Sequence, residues 1–223
     1  MSSSPRQLAL ALDHAESYAR EDFLSGACNE GALALIDRWP DWPGSAVALV
    51  GPEGSGKTHL ATIWAAASGA RVLSAHALGE TRLPAALATG ALVVEDGAAT
   101  KDERALFHLI NLAREEKATL LFTARTVPAI WPVAIPDVVS RLRAFPVVTL
   151  QAPDDAMLRA VIVKLATDRQ LALDESVVGY LSLHIERSFA AARAAVIALD
   201  QEALRRGRPP TRALAAEMFR DSD

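Results

Sequence analysis

Short apolar runs alternate with amphipathic stretches through the first two thirds of the chain. Residues 45–50 (SAVALV) form one such run, ending directly in glycine, as a buried parallel strand does. Residues 57–68 read as the helix that follows it. Further strand-like runs lie at 71–74, 91–94, 119–123 and 146–150. Helical spacing is clearest at 103–117, where Leu106, Leu109, Ile110 and Ala113 recur on one face. Upstream, Ala32, Leu33, Leu35 and Ile36 suggest an amphipathic helix starting near Asn29, broken by Pro40, Pro43 and Gly44. Trp39 and Trp42 beside those prolines read as packing at a domain edge. Short buried strands alternating with helices predict a three-layer α/β domain around a mostly parallel sheet. After Pro153 the strand signals stop. Residues 154–170, 174–184, 188–206 and 211–220 read as four helices, with Asp154, Asp174, Ser188 and Thr211 as N-caps. The predicted organisation is a flexible tail over 1–20, an α/β domain over 21–152 and a small all-helical lid over 153–223.

Composition narrows the setting. With 51% hydrophobic residues in 223, the chain can bury a sizeable core. Its net charge of -4 gives no general attraction to a phosphate backbone, so any DNA contact is expected to be indirect. Cys28 is the single cysteine, which excludes an intrachain disulfide, and the five histidines (His14, His59, His76, His108, His184) lack metal-ligand spacing. No apolar run approaches the ~20 residues of a membrane helix, and the N-terminus lacks a basic region ahead of a long apolar core and cleavage site. A cytoplasmic protein without membrane contact is expected.

The chemistry concentrates where the first strong strand ends. Gly51, Pro52, Glu53, Gly54, Ser55, Gly56, Lys57 and Thr58 satisfy G-x-x-x-x-G-K-[ST] between a strand and a helix. Glycines let such a loop wrap phosphate closely, while backbone N–H groups and the helix N-terminus supply positive charge. Lys57 can then reach the terminal phosphates and Thr58 can hold Mg²⁺. A second acidic site belongs at the end of a neighbouring strand, and Leu92, Val93, Val94, Glu95 and Asp96 resemble such a Walker B segment. Its carboxylates could organise Mg²⁺ and polarise an attacking water. Glu95 stands where an Asp is common and Asp96 where a Glu is common, which predicts slow or absent intrinsic hydrolysis.

Four further segments carry a family resemblance. Residues 22–30 (DFLSGACNE) resemble a segment lying near the adenine base, with Asn29 at the key asparagine. Residues 120–125 (LLFTAR) resemble a sensor 1 strand carrying Thr123. Residues 137–142 (DVVSRL) match a D-x-x-S-R-L segment whose arginine, here Arg141, acts as a finger toward nucleotide on an adjacent subunit. Residues 193–200 (RAAVIALD) resemble the lid helix bearing a sensor 2 arginine, here Arg193, with Arg187 a nearby second candidate. Phe145 and Pro146 replace the Trp-Gly common after the finger. In this order the segments resemble the DnaA/Hda family of AAA+ proteins, and the Hda branch more closely than DnaA itself. Residues 7–12 (QLALAL) are similar to the Q-L-x-L-x-L peptide of that branch. An extended segment can place Leu8, Leu10 and Leu12 in an apolar groove while Gln7 offers amide hydrogen bonds.

The resemblance implies a P-loop AAA+ fold that binds ADP or ATP with Mg²⁺. It puts Asn29, Gly51, Pro52, Gly54, Ser55, Gly56, Lys57, Thr58, His59 and Arg193 at the nucleotide, and Thr58 and Glu95 at the metal. Arg141, Glu95, Asp96 and Thr123 carry the chemistry. The implied partners are the DNA sliding clamp (the polymerase beta subunit), through Gln7, Leu8, Leu10 and Leu12, and DnaA, whose ATP hydrolysis the chain would stimulate as a negative regulator of chromosomal replication initiation. Nothing after Asp223 supplies a helix-turn-helix, so no sequence-specific DNA binding is expected. An autonomous AAA+ ATPase of the helicase-loader or clamp-loader type is the alternative, and homo-oligomerisation stays open.

Overall fold

The computed structural model describes residues 18–220, so the tail residues Gln7, Leu8, Leu10 and Leu12 lie outside the described residues. Five strands, β1 (Ala46–Val50), β2 (Arg71–Ser74), β3 (Ala91–Glu95), β4 (Thr119–Ala124) and β5 (Val147–Thr149), form one sheet in the order β2-β3-β4-β1-β5. Every pairing is parallel, with Val50 opposite Ala124 and Thr149, and Val94 opposite Phe122. Because side chains alternate across a strand, Ala48, Val50, Leu92, Val94, Leu120 and Phe122 face one apolar layer and Val47, Leu49, Val93 and Leu121 the other. The first layer is completed by Leu106, Leu109 and Ile110 of α4 (Glu103–Glu115) and by Val138 and Leu142 of α5 (Pro136–Arg143). The second is completed by Leu33 and Ile36 of α1 (Glu30–Asp37) and by Leu60, Ile63 and Trp64 of α2 (Lys57–Ser68). A short helix α3 (Leu83–Ala86) packs on the first layer.

The central strands are buried as their apolar runs predict, but β2 and β5 are not. They are the sheet edges and largely solvent-facing, Val72 included. Trp42 stacks on the fully buried Trp64 at 4.9 Å and donates its indole N–H to Leu35 O, so this turn closes the second layer.

From Pro153 a second unit contains α6 (Asp155–Asp168), α7 (Glu175–His184), α8 (Phe189–Arg206) and α9 (Arg212–Met218), packed through Leu158, Ile162, Leu181, Val196, Leu199 and Leu214. Asp154, Ser188 and Thr211 cap their helices by accepting the N–H of Met157, Ala191 and Leu214. Asp174 occupies the N-cap of α7 but makes no side-chain cap bond. Gly207, at φ 63°, ends α8 in the left-handed conformation that glycine adopts without a Cβ penalty.

Candidate functional site

In open parallel sheets ligands bind beyond the carboxyl ends of the strands, where neighbouring connections diverge. Here that position is the end of β1, flanked by β4 and β5. Gly51 leaves the strand by donating its N–H to Ala124 O at 3.1 Å, so the loop begins beside the end of β4. A Cβ on Gly51 would lie 2.6 Å from Leu150 O and 2.8 Å from Ser55 Oγ, closer than any side chain tolerates. Gly54 (φ 68°) and Gly56 (φ 93°) take left-handed conformations, and they bend residues 51–56 back onto the start of α2. Gly56 is the N-cap of that helix, and no side chain caps it. Its first N–H groups are therefore available to an anion, supported by the helix dipole. Ser55 Oγ is buried without a hydrogen-bond partner, an orphan that a phosphate oxygen would satisfy.

Lys57, 9% exposed, folds back inside the loop, where Nζ donates to Gly51 O at 2.8 Å and Pro52 O at 2.6 Å. Burial pushes its ammonium below the usual lysine range, opposed by the Asp96 carboxylate, reinforced by the Arg125 guanidinium and opposed again by Glu53. Thus Lys57, Asp96, Arg125 and Glu53 share one electrostatic neighbourhood, although they come from three separate stretches of chain.

Pairing of β4 between β1 and β3 puts Thr123 between the loop and the acidic strand end. Thr123 is 2% exposed, and its Oγ1 accepts the Asp96 N–H at 3.3 Å. Glu95 ends β3 half-buried, whereas Asp96 is exposed in a left-handed conformation at φ 53°. Gly97 then lies against the Trp131 ring, with no room for a Cβ. Among the described residues no cluster of three or more His, Cys, Asp or Glu could hold a metal. A Mg²⁺ ion at Thr58 and Glu95 would therefore take most of its octahedral ligands from phosphate and water, as this ion commonly does.

Asn29 is 2% exposed, and both ends of its amide are engaged within its own loop: Oδ1 accepts the Gly26 N–H and Nδ2 donates to Leu24 O, each at 2.9 Å. Gln151 N donates to Cys28 O at 2.9 Å and ties this loop to the chain after β5. His59, next to Thr58 on α2, meets Tyr18 and Phe23 edge-on at 5.2 Å each, and its Nε2 lies 3.3 Å from Ala19 O. Arg141 makes its contacts on α4. It donates to Asn111 Oδ1, and its guanidinium lies 5.1 Å from the centre of the Phe107 ring. Arg193 is half-buried on α8, and Arg187 pairs with Asp155 at 2.8 Å, both in the helical unit.

Two features were not legible beforehand. Arg125 pairs with Glu53 of the loop at 2.5 Å, and Asn111 with Phe107 holds Arg141. Arg125 had a partial signal, since it directly follows the strand carrying Thr123. Nothing in the order of residues points from Arg141 to α4.

Comparison with family models found no match, and comparison with curated proteins found none. Solved structures do match. Domain III of the replication initiation protein DnaA from Thermotoga maritima is 19% identical, with 92% of this chain and 96% of that one covered and a TM-score of 0.75. AMPPCP-bound DnaA from Aquifex aeolicus is 19% identical, over 85% of this chain and 69% of that one, with a TM-score of 0.65. A RuvB variant from Thermotoga maritima is 14% identical, over 92% and 72%, with a TM-score of 0.70. The fold is thus that of a P-loop AAA+ α/β domain followed by a helical domain.

Proposed function

We propose that this chain is an Hda-like, DnaA-related AAA+ regulator of chromosomal replication initiation, which binds ADP or ATP with Mg²⁺ in the loop of residues 51–58. The observation that carries the nucleotide reading is the loop itself: an uncapped helix N-terminus, two left-handed glycines, the orphaned Ser55 hydroxyl and the buried ammonium of Lys57 converge on one cradle. In this reading Lys57 exchanges the Gly51 and Pro52 carbonyls for phosphate oxygens. Thr58 and Glu95 hold the metal, Thr123 and Asp96 face the terminal phosphate, and Asn29 and His59 lie at the base end, with Arg193 the arginine that the family resemblance assigns to the nucleotide. That a neighbouring fold is AMPPCP-bound DnaA supports the ligand class.

The regulatory part rests on Arg141 and on residues 7–12. Arg141 serves as a finger completing the site of ATP-bound DnaA, while Gln7, Leu8, Leu10 and Leu12 hold the chain on the sliding clamp in the cytoplasm. Among the described residues no helix is long and apolar enough to cross a membrane. Finger arginines in nucleotide hydrolases contribute ~10³–10⁵-fold in rate, so a single side chain can account for the stimulation. The test is DnaA-catalysed ATP hydrolysis with clamp loaded on DNA, comparing the wild-type chain, Arg141→Ala and a Gln7→Ala, Leu8→Ala double variant. Loss of stimulation in Arg141→Ala with clamp binding retained, and loss of clamp binding in the double variant, is the expected pattern. Full stimulation by Arg141→Ala would remove the finger assignment, and an intact chain that ignores the clamp would remove the tail assignment.

A further inference from the structure

We infer that Glu103 is a positioning residue for the Arg141 finger: its carboxylate grips the chain leading into α5 and so sets the angle at which that helix presents its arginine. The inference rests on the finger reading of Arg141 and adds to it a residue that itself touches no nucleotide.

The contact joins distant stretches of chain. Glu103 opens α4, and its Oε2 accepts the N–H of Ala134 and the N–H of Ile135, each at 2.9 Å. Those two amides stand directly before Pro136, at a helix start that no local side chain caps. The missing anchor comes from α4 instead. Glu103 is available for it because Asp102 already caps α4, accepting the Ala105 N–H at 2.9 Å. One carboxylate thus lies at the N-terminal ends of two helices, where the helix dipoles favour negative charge.

Geometry connects this grip to the finger. Arg141 stands about 9 Å along the α5 axis from Ile135, at the ordinary rise of a helix, so a tilt at the entry is carried to its guanidinium. Its own contacts, Asn111 and Phe107, also lie on α4, along the stripe that Glu103 begins at helical spacing. A finger that reaches for phosphate on another subunit gives up those contacts. The Glu103 bonds go to backbone N–H groups and not to the guanidinium, so they stay, and they hold the entry of α5 while the arginine extends. Misplacing a catalytic group by about 1 Å can cost ~10²-fold in rate, so a loosened entry shows in the stimulated rate before it shows in binding.

The experiment uses the full-length wild type, Glu103→Ala and Glu103→Gln, and reads DnaA-catalysed ATP hydrolysis with clamp loaded on DNA alongside amide hydrogen exchange at Ala134 and Ile135. Glutamine keeps one carbonyl oxygen with two lone pairs, enough for both N–H groups, whereas alanine keeps none. Glu103→Ala should lower the maximal stimulated rate about tenfold, with the half-maximal concentration and the chain's own nucleotide affinity within about twofold of wild type, as for a group that acts on the transition state alone. Exchange at the two amides should quicken in Glu103→Ala, and Glu103→Gln should restore both protection and rate. The inference is overturned if Glu103→Ala stimulates like wild type, or if it changes the half-maximal concentration alone. Loss of nucleotide binding in parallel with stimulation overturns it too, since the defect is then one of folding. So does a Glu103→Gln variant that protects both amides yet stimulates no better than Glu103→Ala. A wild-type chain that stimulates no hydrolysis takes down the finger reading itself and this inference with it, an outcome distinct from a failure confined to the variants.

Discussion

Replacing Asn29 by Ala separates two roles that one asparagine could play, holding a loop or touching a ligand. The side chain is 2% exposed, and its amide makes two bonds of 2.9 Å, from Gly26 N–H to Oδ1 and from Nδ2 to Leu24 O. Alanine removes both and strands a backbone N–H and a carbonyl in a part-buried turn. A lost hydrogen bond contributes about 1 kcal/mol net and a stranded polar group about 1–3 kcal/mol, so the expected destabilisation is about 2–4 kcal/mol. For a chain of this length each kcal/mol moves the midpoint by about 2–4 °C, which puts the drop at about 4–16 °C. Thermal melting of wild type, Asn29→Ala and Asn29→Asp, with and without nucleotide, reads this directly. Asn29→Asp keeps an oxygen for Gly26 N–H and should recover part of the loss. The reasoning is refuted if Asn29→Ala melts within about 1 °C of wild type and yet loses adenine nucleotide, because the amide would then act on the ligand rather than on the loop.

Other perturbations test different parts of the molecule. Gly97→Ala would push a methyl group into the ring of Trp131, which is 5% exposed and pinned by its indole N–H to Thr126 O at 2.9 Å, so urea unfolding should shift by about 1–3 kcal/mol. An unchanged midpoint would mean that the ring moves aside freely. Glu202 accepts hydrogen bonds from Arg205 and Arg206, which hold its carboxyl at about 2 instead of 4.5. Because the folded value is depressed, this contribution is present above about 4.5 and is lost as pH falls through about 2. Glu202→Gln should therefore show a shallower acid-side loss of stability than wild type, with the difference shrinking at high salt, since the group is on the surface. Identical pH profiles for the two proteins would rule this out.

Much of the architecture was readable residue by residue. The end of β1, the start of α2 at Lys57 and the break after Pro153 are set by local chemistry: a β-branched and aliphatic run, a glycine-rich turn and a switch from strand to helical periodicity. The tight glycine-rich turn of residues 51–58 was legible for the same reason, because its glycines, Lys57 and Thr58 are contiguous and each answers a local geometric demand. Apolar content misreported burial at the edges: β2 and β5 look like the central strands in sequence but lack a neighbour on one side.

What the sequence by itself determined is therefore the five strands, the helices near 30–37, 57–68 and 103–115, the four helices after Pro153 and the glycine-rich turn after β1, whereas the short helices α3 and α5 were not called from it. Only the tertiary structure decided which strands are neighbours, and with that the placing of β4 and Thr123 between the loop and Asp96. It also decided the partners of the polar side chains: Arg125 with Glu53, Arg141 with Asn111 and Phe107, and the Asn29 amide with its own turn. Strand pairing and side-chain partnership are contacts between distant stretches of chain. They are fixed by how whole apolar faces pack and by where backbone hydrogen bonds can be satisfied, and a local pattern carries neither.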